Sequence, residues 1–276
     1  MKQLVIGTRG SRLALSQCKI VKRLLRQVYD GRIIVKIIKT RGDISKRLSG
    51  KGDFVREIDR AVLRGDVDIA VHSLKDMPSS IERGLVLACV PKRETPYDAL
   101  VSKKYRSIAG LKPGSIVGTG SIRRNSQLFD MRKDIKIEEL RGNVDTRLSL
   151  LRRFDAIILA EAGLKRLGYR KYSRIPVNEM VPCAGQGSLG IVCRTGDGIL
   201  GALKKIEHPK SRREAEEERS CVMSLGADCK TPLGVLAREK HGKIKMYGTL
   251  WTGGKLVRKV VTGKRGVGRK LAKILR

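Results

Sequence analysis

The sequence predicts an α/β protein of two similar lobes around a cleft, followed by a smaller α+β module with an antiparallel sheet. Three observations carry that expectation. Short strand-like runs alternate with helical stripes along the first two thirds of the chain, the pattern of a sheet built with crossover helices. The landmarks Ile6-Gly7-Thr8, Arg41-Gly42-Asp43 and Asp68-Ile69-Ala70 recur in order as Val117-Gly118-Thr119, Arg141-Gly142-Asn143 and Asp155-Ala156-Ile157. Near the C-terminus three strand-like runs are joined at His241-Gly242 and Gly253-Gly254, which are turn sequences.

Leu4 to Gly7 reads as the first strand, and Ser11 can cap a helix whose apolar stripe includes Leu13, Cys18, Val21, Leu24, Leu25 and Val28. Asp30-Gly31 stops it, and Ile33 to Ile38 forms the next strand. The basic, glycine-containing segment from Ile44 to Asp53, with Arg47 and Lys51, lacks periodicity and suits a mobile lid. Phe54, Ile58, Ala61 and Val62 mark a helix ending at Gly65; strands follow at Ile69 to His72 and at Leu85 to Val90. The proline-bounded stretches Pro91 to Pro96 and Pro176 to Pro182 are the expected linkers, with a second lobe at residues 97–181 between them. Gly185-Gln186-Gly187-Ser188-Leu189-Gly190 fits G-x-G-x-x-G, yet Pro182 precedes it and a strand-like run follows, so a glycine turn is expected there and no dinucleotide site. The C-terminal module, residues 210–276, opens with a capping box, Ser211 to Glu214, and a helix to about Ser224. Its strands are expected at Leu233 to Arg238, Ile244 to Leu250 and Leu256 to Thr262, before a last helix marked by Val267, Leu271 and Ile274.

Composition narrows the function. A chain of 276 residues with 41% hydrophobic content can bury several cores. The formal net charge of +33 argues by itself for a polyanionic partner. Against this, aromatics make up 4% of the chain, Lys and Arg are spread along its length, and no RNA-recognition, zinc-finger or basic-zipper pattern is present, so no nucleic-acid partner is expected. The N-terminal apolar run is too short for a signal peptide, and no run approaches the roughly 20 apolar residues of a membrane span; a cytoplasmic protein without a membrane partner is expected. No metal site is expected, because His72, His208 and His241 lie far apart and no two of the six cysteines stand at C-x-x-C spacing. Cys18, Cys89 and Cys193 read as core residues, whereas Cys183 and Cys229 lie in loops. Cys229, beside Lys230 in a glycine-containing loop, is the best candidate for a reactive thiol.

The run Asp68 to Pro78 concentrates the chemistry, because a buried strand breaks there into a charged loop. Ligands of α/β sheets bind beyond the carboxyl ends of the strands, which puts His72, Ser73, Lys75 and Asp76 at the rim of a site. Equivalent strand ends in two facing lobes would add Arg9, Ser11, Arg41, Arg123, Arg124, Arg141 and Arg147.

His72-Ser73-Leu74-Lys75-Asp76 resembles a signature of the hydroxymethylbilane synthase family, also called porphobilinogen deaminases. So, in the family's order, do Thr8-Arg9-Gly10-Ser11-Arg12-Leu13-Ala14, Thr40-Arg41-Gly42-Asp43, Gly50-Lys51-Gly52, Gly118-Thr119-Gly120-Ser121-Ile122-Arg123-Arg124, Leu140-Arg141-Gly142-Asn143, Ala162 to Gly168 and Gly185-Gln186-Gly187. The resemblance implies periplasmic-binding-protein-like lobes, with Ser188 to Ile206 returning to the first, so that residues 1–93 and 188–206 form one lobe. It implies a monomer that condenses four molecules of porphobilinogen head to tail, with loss of ammonia, into hydroxymethylbilane. Its primer is a dipyrromethane cofactor, held by a thioether to the cysteine at position 229. Arg9, Ser11, Arg123, Arg124, Arg141, Arg147 and Arg166 would bind acetate and propionate groups, a task that suits the planar, permanently charged guanidinium. Lys75 would contact the cofactor, and Ser73, Thr119 and Ser121 would add neutral donors. Asp76 would be catalytic, its carboxylate stabilising the azafulvene cation left when ammonia departs. Three positions depart from the family pattern: Asp53 after Gly-Lys-Gly, Asp228 before the cysteine, and Arg47 in place of a lysine. Two alternatives remain at this point, a bilobal anion-binding sensor protein and a basic nucleic-acid-binding protein; the mass of the purified protein distinguishes them from a cofactor-bearing enzyme.

Overall fold

In the computed structural model the described residues are 3–38, 53–228 and 230–276. Arg41, the residues Arg47 and Lys51 of the expected lid, and Cys229 lie outside them, whereas Asp53 opens a helix. The chain divides into two compact units, residues 1–93 with 188–212 and residues 94–187 with 213–276. No helix among the described residues is long and apolar enough to cross a membrane.

Elements are numbered in chain order. The first unit contains β1 (Gln3–Thr8), α1 (Arg12–Leu25), β2 (Arg32–Ile37), α2 (Asp53–Leu63), β3 (Ile69–Ser73) and β4 (Leu85–Cys89), with β10 (Leu189–Arg194) and α6 (Leu200–Lys205) from the later segment. Its sheet has the order β2-β1-β3-β10-β4. β1 is parallel to both neighbours, whereas β10 runs antiparallel between β3 and β4. Ser11 starts α1 as the periodicity predicts, its Oγ accepting the Ala14 N–H at 3.3 Å. Cys18, Val21 and Leu25 then follow at helical spacing and pack with Leu203 on Leu4, Ile6, Ile69, Val71, Ile191 and Cys193 of the sheet. Each such side chain, fully buried, contributes about 1.5–3 kcal/mol.

The second unit repeats the plan with β5 (Asp98–Val101), β6 (Ile116–Gly118), α3 (Ile122–Met131), β7 (Lys136–Glu138), α4 (Val144–Ser149), β8 (Ala156–Ala160), α5 (Glu161–Arg166) and β9 (Ser173–Arg174). The order is β7-β6-β8-β5-β9, again with a parallel trio and an antiparallel neighbour beside its third strand. The short repeat in the sequence is therefore a repeat of the backbone: Ile6 pairs with Ile69 in one sheet as Val117 pairs with Ala156 in the other.

The same unit holds α7 (Pro209–Leu225, from residue 213), β11 (Leu233–Lys240), β12 (Lys243–Thr252), β13 (Lys255–Gly263) and α8 (Val267–Leu275). Both hairpins close on two residues with positive φ, His241 at 50° and Gly242 at 68°, then Gly253 at 56° and Gly254 at 75°, the turn that matches the twist of paired strands. The inner face of this sheet, with Val235, Ala237, Ile244 and Met246, packs on Val267, Leu271 and Leu275. Two expectations need correction. α7 begins at Pro209, which suits a first helical turn. The Ser211 N–H therefore donates to His208 Nδ1 at 3.2 Å and the Glu214 carboxylate accepts the Glu239 N–H, so no capping box forms. In α8 the inward stripe steps by four from Val267 to Leu271 to Leu275, which leaves Ile274 44% exposed.

No helix follows Gly185-Gln186-Gly187, which leads into β10. Gly187 has φ of 88°, and a Cβ there would lie 2.5 Å from the Thr95 carbonyl oxygen, so this turn requires glycine.

Candidate functional site

At the end of β3, successive residues point to opposite faces of the sheet, and each is tied by a different helix. His72 Nε2 lies 2.8 Å from the Asp59 carboxylate of α2, both side chains being buried. The Ser73 hydroxyl accepts a hydrogen bond from Gln17 of α1 at 2.8 Å. Leu74 then donates its N–H to the Ser188 carbonyl at 3.0 Å, and a 3-10 turn, Leu74–Asp76, closes through the Met77 N–H on the Leu74 carbonyl. Leu74 and Met77 are buried, whereas Lys75 and Asp76 are half-buried. The apolar residues thus anchor the turn, and it presents an ammonium and a carboxylate at its rim. Arg9 and Ser11 follow β1, the strand next to β3, and are also half-buried. The structure brings these five predicted residues, Arg9, Ser11, Ser73, Lys75 and Asp76, to the carboxyl ends of adjacent strands.

In the second unit the predicted residues fall into different surroundings. Thr119 is buried, its hydroxyl accepting the Ser121 N–H at 3.3 Å, and Ser121 caps α3. Arg123 and Arg124, next on that helix, are both 5% exposed and converge on Asp98, which is fully buried. Arg123 Nη1 donates to Asp98 Oδ2 at 2.8 Å, and Arg124 donates to Oδ1 from Nε at 3.0 Å and from Nη2 at 2.8 Å. Gln186 Nε2 adds bonds to Oδ1 at 3.0 Å and to the Pro96 carbonyl at 2.8 Å. Burial would raise the Asp98 pKa, but the charges and hydrogen bonds of Arg123 and Arg124 and the Gln186 bond outweigh it and hold the carboxyl well below the usual range. Two guanidiniums share this one carboxylate, and among the described residues Arg123 Nε is buried without a hydrogen-bond partner.

Arg166, at the end of α5, donates from Nη2 to the Gly187 carbonyl at 2.7 Å, and its buried Nε also lacks a partner among the described residues. Burial pushes its pKa down to about 10. Arg141 is exposed and bonded to Glu139 at 2.7 Å, and Arg147 Nε reaches the Gly142 carbonyl at 2.8 Å. Sequence reasoning missed Asp59, Gln17, Asp98 and Gln186. The one available signal was Asp98 at the head of the apolar run Ala99-Leu100-Val101, since a carboxylate buried with such a strand needs cationic partners.

Cations at the strand ends of two repeated α/β sheets suit ligands that carry carboxylate groups. The family model described as "Porphobilinogen deaminase, dipyromethane cofactor binding domain" matches residues 4–201. The porphobilinogen deaminase of a Nitratiruptor species is 45% identical over 246 residues, covering 85% of this chain and 78% of that protein. That of Thermus thermophilus is 40% identical over 259 residues, covering 91% and 86%. The probable porphobilinogen deaminase of Methanothermobacter thermautotrophicus is 40% identical over 285 residues, covering 98% of both chains. The chain belongs to the porphobilinogen deaminase family, as its ordered motifs imply. Among solved structures, a nutrient binding protein from Burkholderia cenocepacia bound to methionine aligns with a TM-score of 0.46 and 13% identity, over 76% of this chain and 93% of that one.

Proposed function

We propose that the protein is a cytoplasmic, monomeric hydroxymethylbilane synthase that joins four porphobilinogen molecules head to tail and releases ammonia at each addition. The observation that carries this reading is a surplus of positive charge: two buried guanidiniums on one carboxylate, and Nε atoms of Arg123 and Arg166 that have no hydrogen-bond partner among the described residues. Buried charge needs a counter-charge, and the acetate and propionate of porphobilinogen provide it. Arg9, Lys75, Arg141, Arg147 and Arg166 bind those carboxylates. Arg123 and Arg124 contribute charge from positions fixed by Asp98, and Ser11, Ser73, Thr119 and Ser121 supply neutral donors. Arg47 and Lys51 belong to the lid. Asp76, on a turn fixed by buried neighbours, places its carboxylate where the substrate ring becomes positive as ammonia leaves.

The orphaned Nε atoms fit a dipyrromethane cofactor, whose pyrroles carry the same acidic groups. When bound, it supplies the pyrrole carbon to which the first substrate is joined. Cys229 holds it through a thioether. Burial raises the thiols of Cys18 and Cys193 to about 11 and those of Cys89 and Cys221 to about 12, too high for a useful thiolate fraction at neutral pH. Cys183 and Cys229 remain. The Asp228 carboxylate accepts the Lys230 N–H at 2.9 Å and the Thr231 hydroxyl at 2.8 Å, so the side chain of this departure from the family pattern is engaged by Lys230 and Thr231. Protein produced in cells that make porphobilinogen should show an intact mass larger by one dipyrromethane and should colour with Ehrlich's reagent, and Cys229→Ala should abolish both. An unmodified wild-type mass, or an adduct that survives Cys229→Ala, would overturn the assignment.

A further inference from the structure

The end of the chain has a charge pattern that tetrapyrrole assembly does not use. From Lys240 to Arg276 there are 12 Lys and Arg residues and no Asp or Glu. At the start of this region the pairing of β11 with β12 sets Lys240 directly opposite Lys243 and, just before it, Arg238 directly opposite Lys245. Ala237, Ile244 and Met246 turn to the core, so by strand alternation the four cations leave the sheet together on the other face. Like charges placed directly opposite destabilise an antiparallel pair, and here two such pairs stand in succession. Arg238 lies 3.7 Å from Glu214, whereas Lys240, Lys243 and Lys245 make no ion pair among the described residues. With His241 and Thr262 they line a depression of about 550 Å³. The other end of the same face is covered within its unit, with Trp251 edge-on to Phe129 at 5.8 Å and Arg258 on the Asn178 and Glu179 carbonyls. The basic end is left open.

The partner must bring several negative charges. A lipid surface fits poorly, because α8 turns Val267, Leu271, Ala272 and Leu275 inward and leaves no apolar face to insert. Lysine-rich strands suit phosphates, which accept a point charge from any direction, and the Tyr247 ring, over which Lys245 Nζ lies at 5.2 Å, becomes a surface for a base when Lys245 turns to a phosphate. We propose that the open face of β11 and β12 binds single-stranded nucleic acid without regard to sequence, with backbone phosphates on Arg238, Lys240, Lys243 and Lys245 and a base against Tyr247. This second activity is separate from the deaminase reaction and does not depend on it.

The test uses the full chain and a fluorescein-labelled single-stranded RNA of about 12 nucleotides, a length within the range that one such surface accommodates. Binding is followed by anisotropy as the salt concentration rises. Four phosphate contacts predict a slope of log K against log salt of about −2.8, and Lys243→Gln with Lys245→Gln should make it shallower by about 1.4. Lys103→Gln with Lys104→Gln removes the same charge from an exposed stretch elsewhere and should leave the slope unchanged. An equal loss in both double variants would show a diffuse charge effect and overturn the site, as would absence of binding at low salt. Equally tight binding of polyglutamate would overturn the nucleic-acid assignment. Porphobilinogen turnover by the Lys243→Gln, Lys245→Gln variant should be unchanged; its loss would put these cations on the substrate's path and defeat the proposal.

Discussion

In the first sheet Asp68 accepts the Val5 N–H at 2.7 Å, and in the second Asp155 accepts the Ile116 N–H at 2.9 Å. The start of the third strand is fixed by the same bond in both. The ends of those strands differ. β3 runs into a 3-10 turn that holds Lys75 and Asp76 half-buried, whereas β8 runs into α5, and the antiparallel strand beside it begins with Asp98 under two arginines. A repeated backbone has therefore been kept where strands begin and given separate chemistry where they end. One strand end presents an accessible carboxylate, and the other buries more positive charge than negative.

The largest effect should come from Asp98. Asp98→Asn leaves two buried guanidiniums without their anion, which costs about 3–5 kcal/mol, measured by urea unfolding. Because the folded pKa lies below the unfolded value of about 3.9, the carboxylate's contribution is complete above that pH and is lost as pH falls toward the folded pKa. The wild type should thus lose stability below about pH 4 more steeply than the variant. A cost below about 1 kcal/mol would mean that Asp98 resembles a surface pair, and the contrast between the strand ends would fail.

Asp76 should behave in the opposite way. Asp76→Asn keeps the shape of the side chain and should reduce turnover about a hundredfold while stability changes by less than about 0.5 kcal/mol. Single-turnover ammonia release, with cofactor loading checked by mass, separates failed catalysis from failed assembly. A fully loaded variant within a few-fold of wild type would remove Asp76 from the reaction.

Arg141 should show the smallest effect. Its exposed pair with Glu139 is worth about 0–1 kcal/mol, so Arg141→Leu should barely move the unfolding midpoint. Loss of one carboxylate contact should still reduce kcat/KM about tenfold. A variant as unstable as Asp98→Asn would show that Arg141 supports the fold instead.

Features that depend on local spacing were legible in the sequence. The apolar run before His72, the two positive-φ turns and the glycine at 187 each follow from a few neighbouring residues. Side-chain partnerships across the fold were not. Arg123 and Arg124 read as residues lining a cleft, and helical periodicity does not report that a carboxylate 25 residues before Arg123 lies between them. Gln17 falls on the apolar side of α1, where its bond to Ser73 is invisible until β3 is placed. The capping box failed because a proline two residues upstream gave the helix a better start, and the last helix was misread at Ile274 because steps of three and four fit its pattern equally well.

Glu214 and Glu218, one helical turn apart on α7, accept the Glu239 and Ala237 N–H groups, and the Pro182 carbonyl takes the Val235 N–H. These donors lie along β11, an edge strand of its sheet. An uncovered edge is a template on which another molecule can add a strand, so the two glutamates guard against aggregation. β13 at the opposite edge carries Lys255 and Lys259, exposed and of like sign in every copy. One border is thus saturated and the other repels its twin, which favours refolding after partial unfolding over fibre growth.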